Sequence, residues 1–351
     1  MKKGWILLVA VLLTGKTLYA HHGVASLGAA GLEGPGAPLE TSSSAMLPAG
    51  SMLLYSKLDY VKWKKFSFDT FPDQKDSYYF FMYGAGYGLL PYFSVYAFFP
   101  FYVKKEVKAI DPQNINQGTY MYTNSAFSDI SCMLVFGFKY DKGLKLVPRK
   151  ESLDDMMDWH FTLYSGFSIP TGNPDVYDRA RDLQGEFKPD MATGFGKPSV
   201  SFGVSATKQF VSFPILTYTM ESNYIKFFEH TYDFKNPDGS NKKYKFGDEL
   251  RVNTALTFRL LKVPSRKLRL DFSVESGYQE NKRDIDDGVA CAGSGGKMLY
   301  GTLSFRLYYK AMSLGIGVKR PVWTDLNEDE EQQGGEGKED RRIIITVSSI
   351  I

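Results

Sequence analysis

The chain has only two cysteines and four histidines in 351 residues. Cys132 and Cys291 stand far apart, too few for a disulfide framework or a metal site, and both are expected to be unpaired even in an oxidising compartment. Among His21, His22, His160 and His230, only His160 invites an enzymatic reading. No motif brings a serine or carboxylate to it, so no catalytic residue, cofactor or metal is assigned. The sequence also lacks a hydrophobic run of the ~20 residues that a helical membrane span requires. Its best stretch, Trp5 to Leu13, is about half that length, and Gly15 and Lys16 follow it. An excess of charge is missing as well. Removing Lys2, Lys3 and Lys16 from 42 basic residues leaves 39, equal to the 39 acidic ones, which gives no support to a nucleic-acid partner. The glycine-rich GAGYG at Gly84 to Gly88 has no helix after it and is no phosphate loop.

What is present begins with a targeting signal. Lys2 and Lys3 precede the apolar core, and Leu18-Tyr19-Ala20 supplies a small-residue exit, so cleavage is expected after Ala20. His21 to Gly50 is rich in Gly, Ala, Pro and Ser and shows no period; it is read as an irregular segment and a candidate plug. Residues 51–351 then fall into stretches of about ten to eighteen residues with a period near two. In Glu249 to Leu260, Leu250, Val252, Thr254, Leu256, Phe258 and Leu260 share one face, while Glu249, Arg251, Asn253, Thr257 and Arg259 share the other. Twelve such strands are expected, the first from Ser51 to Phe68 and the last from Arg341 to Ile351.

The connections discriminate better than the strands. Leu89 to Tyr92, Ser212 to Pro214, Val263 to Arg266 and Lys310 are short. They alternate with long ones: Asp69 to Asp76, Lys108 to Phe127, Pro170 to Lys197, His230 to Tyr244, Asn281 to Gly296 and Val322 to Asp340. Lys142 to Met157 breaks the rule, being long where a short turn belongs. Short turns at one end and long loops at the other are the pattern of an all-β, antiparallel transmembrane β-barrel. Strands of this length match the 9–11 tilted residues that cross a bilayer, whereas soluble strands usually run about 5–6. An open sheet would leave backbone groups unpaired in lipid, so the strands are expected to close. The expected location is the bacterial outer membrane, with its lipid and the barrel-assembly machinery as partners. The chain ends on Ile351 and not on the aromatic residue that commonly closes such barrels.

In a barrel of this kind the polar faces turn inward. The candidate lumen cluster is Glu221, Asn223, Glu249, Arg251, Asn253, Arg259, Arg269, Asp271, Glu275 and Arg306, with Lys57, Asp59 and His160 also inward. Glu249, Arg251 and Asp271 are the first choice, as a cluster on adjacent strands. Pro100 cannot donate to a ladder and marks a bulge or a candidate lateral opening. Tyr78, Phe80, Met82, Tyr96 and Phe98 form a candidate apolar path. The acidic runs Asn327 to Glu331 and Glu336 to Asp340 read more readily as solvated loop than as a cation site.

Several stretches carry a family resemblance: GPGAPLETSSS (Gly34 to Ser44), Tyr87-Gly88 with Phe93 to Pro100, the strand end Gly166 to Pro174, Gly194-Phe195-Gly196, Lys245 to Asn253, and Arg320 to Asn327. With these the chain resembles outer-membrane proteins grouped with the phenol meta-cleavage pathway, themselves similar to FadL-type hydrocarbon transporters. The resemblance implies passage of small hydrophobic or aromatic compounds. A structural or adhesive barrel acting through its loops and a small general porin are the alternatives.

Overall fold

A strand whose side chains alternate between lipid and lumen needs a hydrogen-bonded neighbour on each edge, because hydrocarbon offers the backbone no partner. The computed structural model meets that need by closure. It describes residues 37–64, 74–110, 118–147, 156–175, 177–178, 186–187, 191–327 and 339–351. Twelve strands form the barrel: β1 (Met52–Trp63), β2 (Gln74–Leu90), β3 (Phe93–Ala109), β4 (Ile130–Tyr140), β5 (Trp159–Ile169), β6 (Val200–Phe210), β7 (Phe213–Lys226), β8 (Glu249–Val263), β9 (Leu268–Asn281), β10 (Gly296–Tyr309), β11 (Met312–Leu326) and β12 (Glu339–Ile350). Each is antiparallel to its sequence neighbours, and β12 returns to β1, with Leu53 opposite Ile350 and Lys57 opposite Thr346.

The faces are inverted relative to a soluble protein. On β10, Thr302, Ser304 and Arg306 are at most 3% exposed, whereas Leu303, Phe305 and Leu307 between them are 39–56% exposed. That is polar inside and apolar outside.

The short connections form one rim. Residues 91–92, 211–212 and 310–311 are tight turns, and Pro264–Arg266 is a single 3-10 turn. Lys267 and Lys310 take left-handed backbone angles there, φ 49° and 58°. The long connection between β4 and β5 sits on this same rim; its Leu144–Leu146 pairs back on Phe138 to Tyr140 and extends the sheet.

At the opposite rim, stretches expected to be loop contain further strands. Thr119–Phe127 pairs with the far half of β3, from Phe101 opposite Phe127 to Ala109 opposite Thr119. It runs into β4 through Ser128 and Asp129. The register steps by one residue there, so the two pieces are one strand with a bulge facing Phe99 and Pro100. The Pro100 carbonyl still accepts the Ser128 N–H at 2.9 Å. His230–Lys235, Asn241–Lys245, Ile285–Asp286 and Val289–Ala290 make a small separate sheet. Gly84 to Gly88 lie within β2, paired with β3. Neither Cys132 on β4 nor Cys291 in a loop is in a disulfide. The expected signal, His21 to Gly36 and most of the acidic loop after Asn327 lie outside the described residues.

Candidate functional site

Residues 37–50 do not continue the wall; they run inside it. Thr41, Ser42, Ser43 and Ser44 are at most 1% exposed although every one is polar. Burial of that kind is stable only if the polar groups find partners, and the lumen supplies them. The Glu275 carboxylate on β9 accepts three successive backbone N–H groups, from Leu39 (2.8 Å), Glu40 (3.0 Å) and Thr41 (2.9 Å), and the Thr41 hydroxyl at 3.0 Å. Glu221 on β7 accepts the Ser42 N–H (3.0 Å) and hydroxyl (2.7 Å), together with the Tyr164 hydroxyl (2.5 Å) from β5. The Ser44 N–H donates to Thr207 Oγ1 at 2.9 Å, and its hydroxyl meets Ser205 at 2.8 Å, both on β6.

Glu40 is the one charged side chain in this stretch. Lys57 on β1 and Lys319 on β11 grip its two carboxylate oxygens at 2.5 Å each. Backbone carbonyls are held as well: Arg306 donates to Pro38 O (3.2 Å), and Asn253 to Glu40 O (3.3 Å). Leu39 fits a notch left by two glycines, since a Cβ on Gly315 would lie 2.5 Å from its side chain and one on Gly317 2.9 Å. Met46 occupies the space over Gly137 on β4, and Leu47 packs beside Gly86 on β2. The segment therefore touches β9 to β11 first, crosses to β7 and β6, and passes along β4 and β2 before turning at Gly50 into β1.

The side chains that meet the segment from the facing side are apolar, and further along the same strands Lys75 and Lys104 lie over the Trp63 and Tyr78 rings at 5.1 and 5.6 Å. Tyr55, Met82, Tyr96, Phe98, Met133, Val135 and Tyr164 pack with Met46 and Leu47 in one buried cluster. A second cluster continues along β1 to β3: Trp63, Tyr78, Phe80 and Tyr102, with ring centroids 5.1 Å apart for Trp63 and Tyr78 and 5.6 Å for Phe80 and Tyr102. All five residues read as an apolar path, Tyr78, Phe80, Met82, Tyr96 and Phe98, belong to these clusters.

The ten polar residues chosen from sequence all lie on the inward-facing register of their strands, but they do different work. Glu221, Asn253, Glu275 and Arg306 hold the segment. Glu249 pairs with Arg251 on its own strand, and Arg269 with Asp271 at 2.8 Å. Asn223 sits opposite Arg251, and Arg259 opposite Asp271. Glu249, Arg251 and Asp271 do not form one cluster, because Arg251 faces Gln279 while Asp271 faces Arg259, eight residues or ~27 Å further along β8. His160 is buried on β5, its Nδ1 3.1 Å from Asp158 O. Glu40, Lys319, Tyr164, Thr207 and the glycine notch were missed. The only sequence signal for them was the unusual stretch GPGAPLETSSS itself.

No family model and no curated protein matches the chain. Among solved structures it is similar to an outer-membrane channel of the COG4313 group from Pseudomonas putida F1, at 12% identity and a TM-score of 0.58, covering 87% of this chain and 97% of that one. A FadL homologue of Pseudomonas aeruginosa matches at 9% identity and a TM-score of 0.41, over 96% and 98% of the two chains. The first likeness establishes a fold shared with an outer-membrane channel.

Proposed function

We propose that the protein is an outer-membrane channel for passive uptake of small hydrophobic or aromatic compounds, freed from its signal after Ala20 and closed at rest by a plug, the segment His21 to Gly50. One observation carries this reading. An aromatic strip on β1 to β3, from Trp63 and Tyr78 to Tyr96 and Phe98, leads along one side of the lumen to Met46 and Leu47 of the segment. Aromatic rings receive an apolar, planar cargo by stacking and area burial. On the other side Glu221, Glu275, Arg306, Lys57 and Lys319 are engaged with the segment, and Glu249 with Arg251 and Arg269 with Asp271.

Residues 37–50 are held as a single extended run of contacts and can yield without unfolding the wall. The resemblance to proteins of the phenol meta-cleavage pathway adds the aromatic class to the reading. Single-channel conductance in a planar bilayer tests it, comparing the refolded mature protein with a variant lacking His21 to Gly50. The expected result is silence from the first and steady current from the second. Ohmic current from the full-length barrel would favour a general porin. Silence from both would favour a structural or adhesive role.

A further inference from the structure

The clasp around Glu40 holds more positive charge than the barrel wall neutralises by itself. Three cations of the wall meet there: Lys57 on β1, Lys319 on β11, and Arg342 on β12, the cross-strand neighbour of Lys319. The wall answers with two carboxylates. Asp59 lies 3.3 Å from Lys57 and 3.5 Å from Arg342, and Glu339 pairs with Arg342 on its own strand. The third carboxylate belongs to the segment: among the described residues, Glu40 is the one ion-pair partner of Lys319. Other charges of the lumen are occupied elsewhere. Arg251 is taken by Glu249, and Glu275, two strands from Lys319 beyond Thr302, spends its oxygens on the N–H groups of residues 39–41. Lys57 and Lys319 are buried, so their ammonium groups require an anion in contact.

The clasp is also built into the aromatic strip. Lys57 is the cross-strand neighbour of Met82, and Asp59 that of Phe80. Arg342 lies over the Phe80 ring at 5.6 Å, and Lys319 over the Tyr300 ring at 4.4 Å. Towards the long-loop rim the pairing of cation with ring continues, with Lys104 over Tyr78 and Lys75 over Trp63. Glu106, 3.9 Å from Lys108, is the buried carboxylate described in that stretch. A neutral aromatic cargo would need rings alone. Rings interleaved with ammonium and guanidinium groups suit a cargo that carries a ring and a negative charge together, because the ring stacks while the charge meets a cation.

Resting on the reading of the protein as a plugged channel, we infer that Lys57 and Lys319 form the binding site for the carboxylate of the cargo, that the compounds admitted are small aromatic carboxylates, and that Glu40 holds their place in the resting barrel. The shape of the site favours a carboxylate. Lys57 meets one oxygen of Glu40 and Lys319 the other, an arrangement that a spherical anion does not reproduce. Exchange displaces only the Glu40 side chain. Glu275 and Glu221 keep their hold on the backbone of residues 39–42 while the incoming carboxylate takes the two lysines and its ring lies towards Phe80.

Fluorine NMR of 4-fluorobenzoate, titrated against the refolded mature protein in detergent, tests the assignment. Glu40→Gln keeps the shape of the side chain and removes its charge, and should bind 4-fluorobenzoate at least about tenfold more tightly than the parent. The neutral 4-fluorobenzamide should show no such gain. Glu40→Asp, which leaves a charge in the clasp, should fall between parent and E40Q, and adding K57M/K319M to E40Q should remove the gain. Heat-dependent electrophoretic mobility confirms that each variant is folded. Equal binding by E40Q and the parent, an equal gain for the benzamide, or displacement of 4-fluorobenzoate by matched chloride would each overturn the assignment. Binding is read in detergent without passage, so a barrel that binds as expected yet stays silent after truncation would sink the channel and keep the site, whereas a conducting truncated barrel whose E40Q form gains nothing would sink the site alone.

Discussion

The two sides of the lumen hold the same segment by opposite means. On β6 to β11, with Lys57 reaching in from β1, the grip is polar and specific, with Glu275, Glu221 and the Lys57–Glu40–Lys319 clasp each engaging named atoms. On β2 to β5 it is packing, with Met46 and Leu47 laid against aromatic and aliphatic side chains. Hydrogen bonds to a carboxylate fix register, because three successive N–H groups can meet Glu275 in only one way. Apolar contact is non-directional and tolerates sliding. The polar side therefore decides where the segment sits, and the apolar side provides the surface along which a cargo can replace it.

The strongest way to break this contrast is to remove the clasp. Glu40→Ala leaves Lys57 and Lys319 buried without their shared partner, a loss of about 3–5 kcal/mol for a buried pair. The E40A barrel is expected to open frequently in a planar bilayer. If it stays as silent as the parent, the clasp does not set the position of the segment. Glu275→Ala should follow with a smaller effect, about 1–3 kcal/mol for amides left unsatisfied, visible as shorter closed intervals. Overfilling the notch under Leu39 with Gly315→Val should cost about 1–3 kcal/mol. It should raise labelling of a cysteine placed at Ser43 while leaving the wall folded. On the apolar side the order reverses for transport: Phe98→Ala should leave resting silence intact and reduce entry of an aromatic solute into liposomes. Unchanged uptake in F98A would remove the aromatic strip from the path.

The same contrast explains what could be read before the structure. Strand positions were legible because lipid and lumen impose a strict period of two, which is why the charged face expected for β8 turns inward from Glu249 to Arg259. The alternation also placed all ten polar candidates on the inward side. Height along the barrel was not legible, since it depends on register. Glu249, Arg251 and Asp271 look adjacent in a list of strands, yet antiparallel pairing separates them by most of the length of β8. Thr119–Phe127 escaped because its partner is the part of β3 that projects beyond β4, a long-range pairing that no local pattern announces. The grip on Glu40 was hidden for a simpler reason. A glutamate in an irregular stretch has no periodicity to betray its direction, and the glycines that seat Leu39 show their purpose only when Leu39 is in place.

Carboxylates outside the lumen sharpen the comparison further, with the smallest expected effect. Asp129, at the bulge on the long-loop rim of the apolar side, accepts the N–H groups of Gly172 (2.9 Å) and Phe195 (3.0 Å), tying the following loop to the wall. Among the described residues no cation pairs with it, unlike Glu40. Burial accordingly pushes its carboxyl up to about 6, only partly countered by those N–H donors. Because the folded value lies above the ~3.9 of an unfolded aspartate, its contribution to loop docking is complete below pH ~4 and is lost as the pH rises through about 6. Hydrogen exchange at the Gly172 and Phe195 amides, corrected for intrinsic rates, should show protection falling between pH 4 and 7. In D129N the profile should be flat over that range. A flat profile in the parent would mean that the bulge carboxylate is solvated, and that the apolar half of the rim is no drier than the polar one.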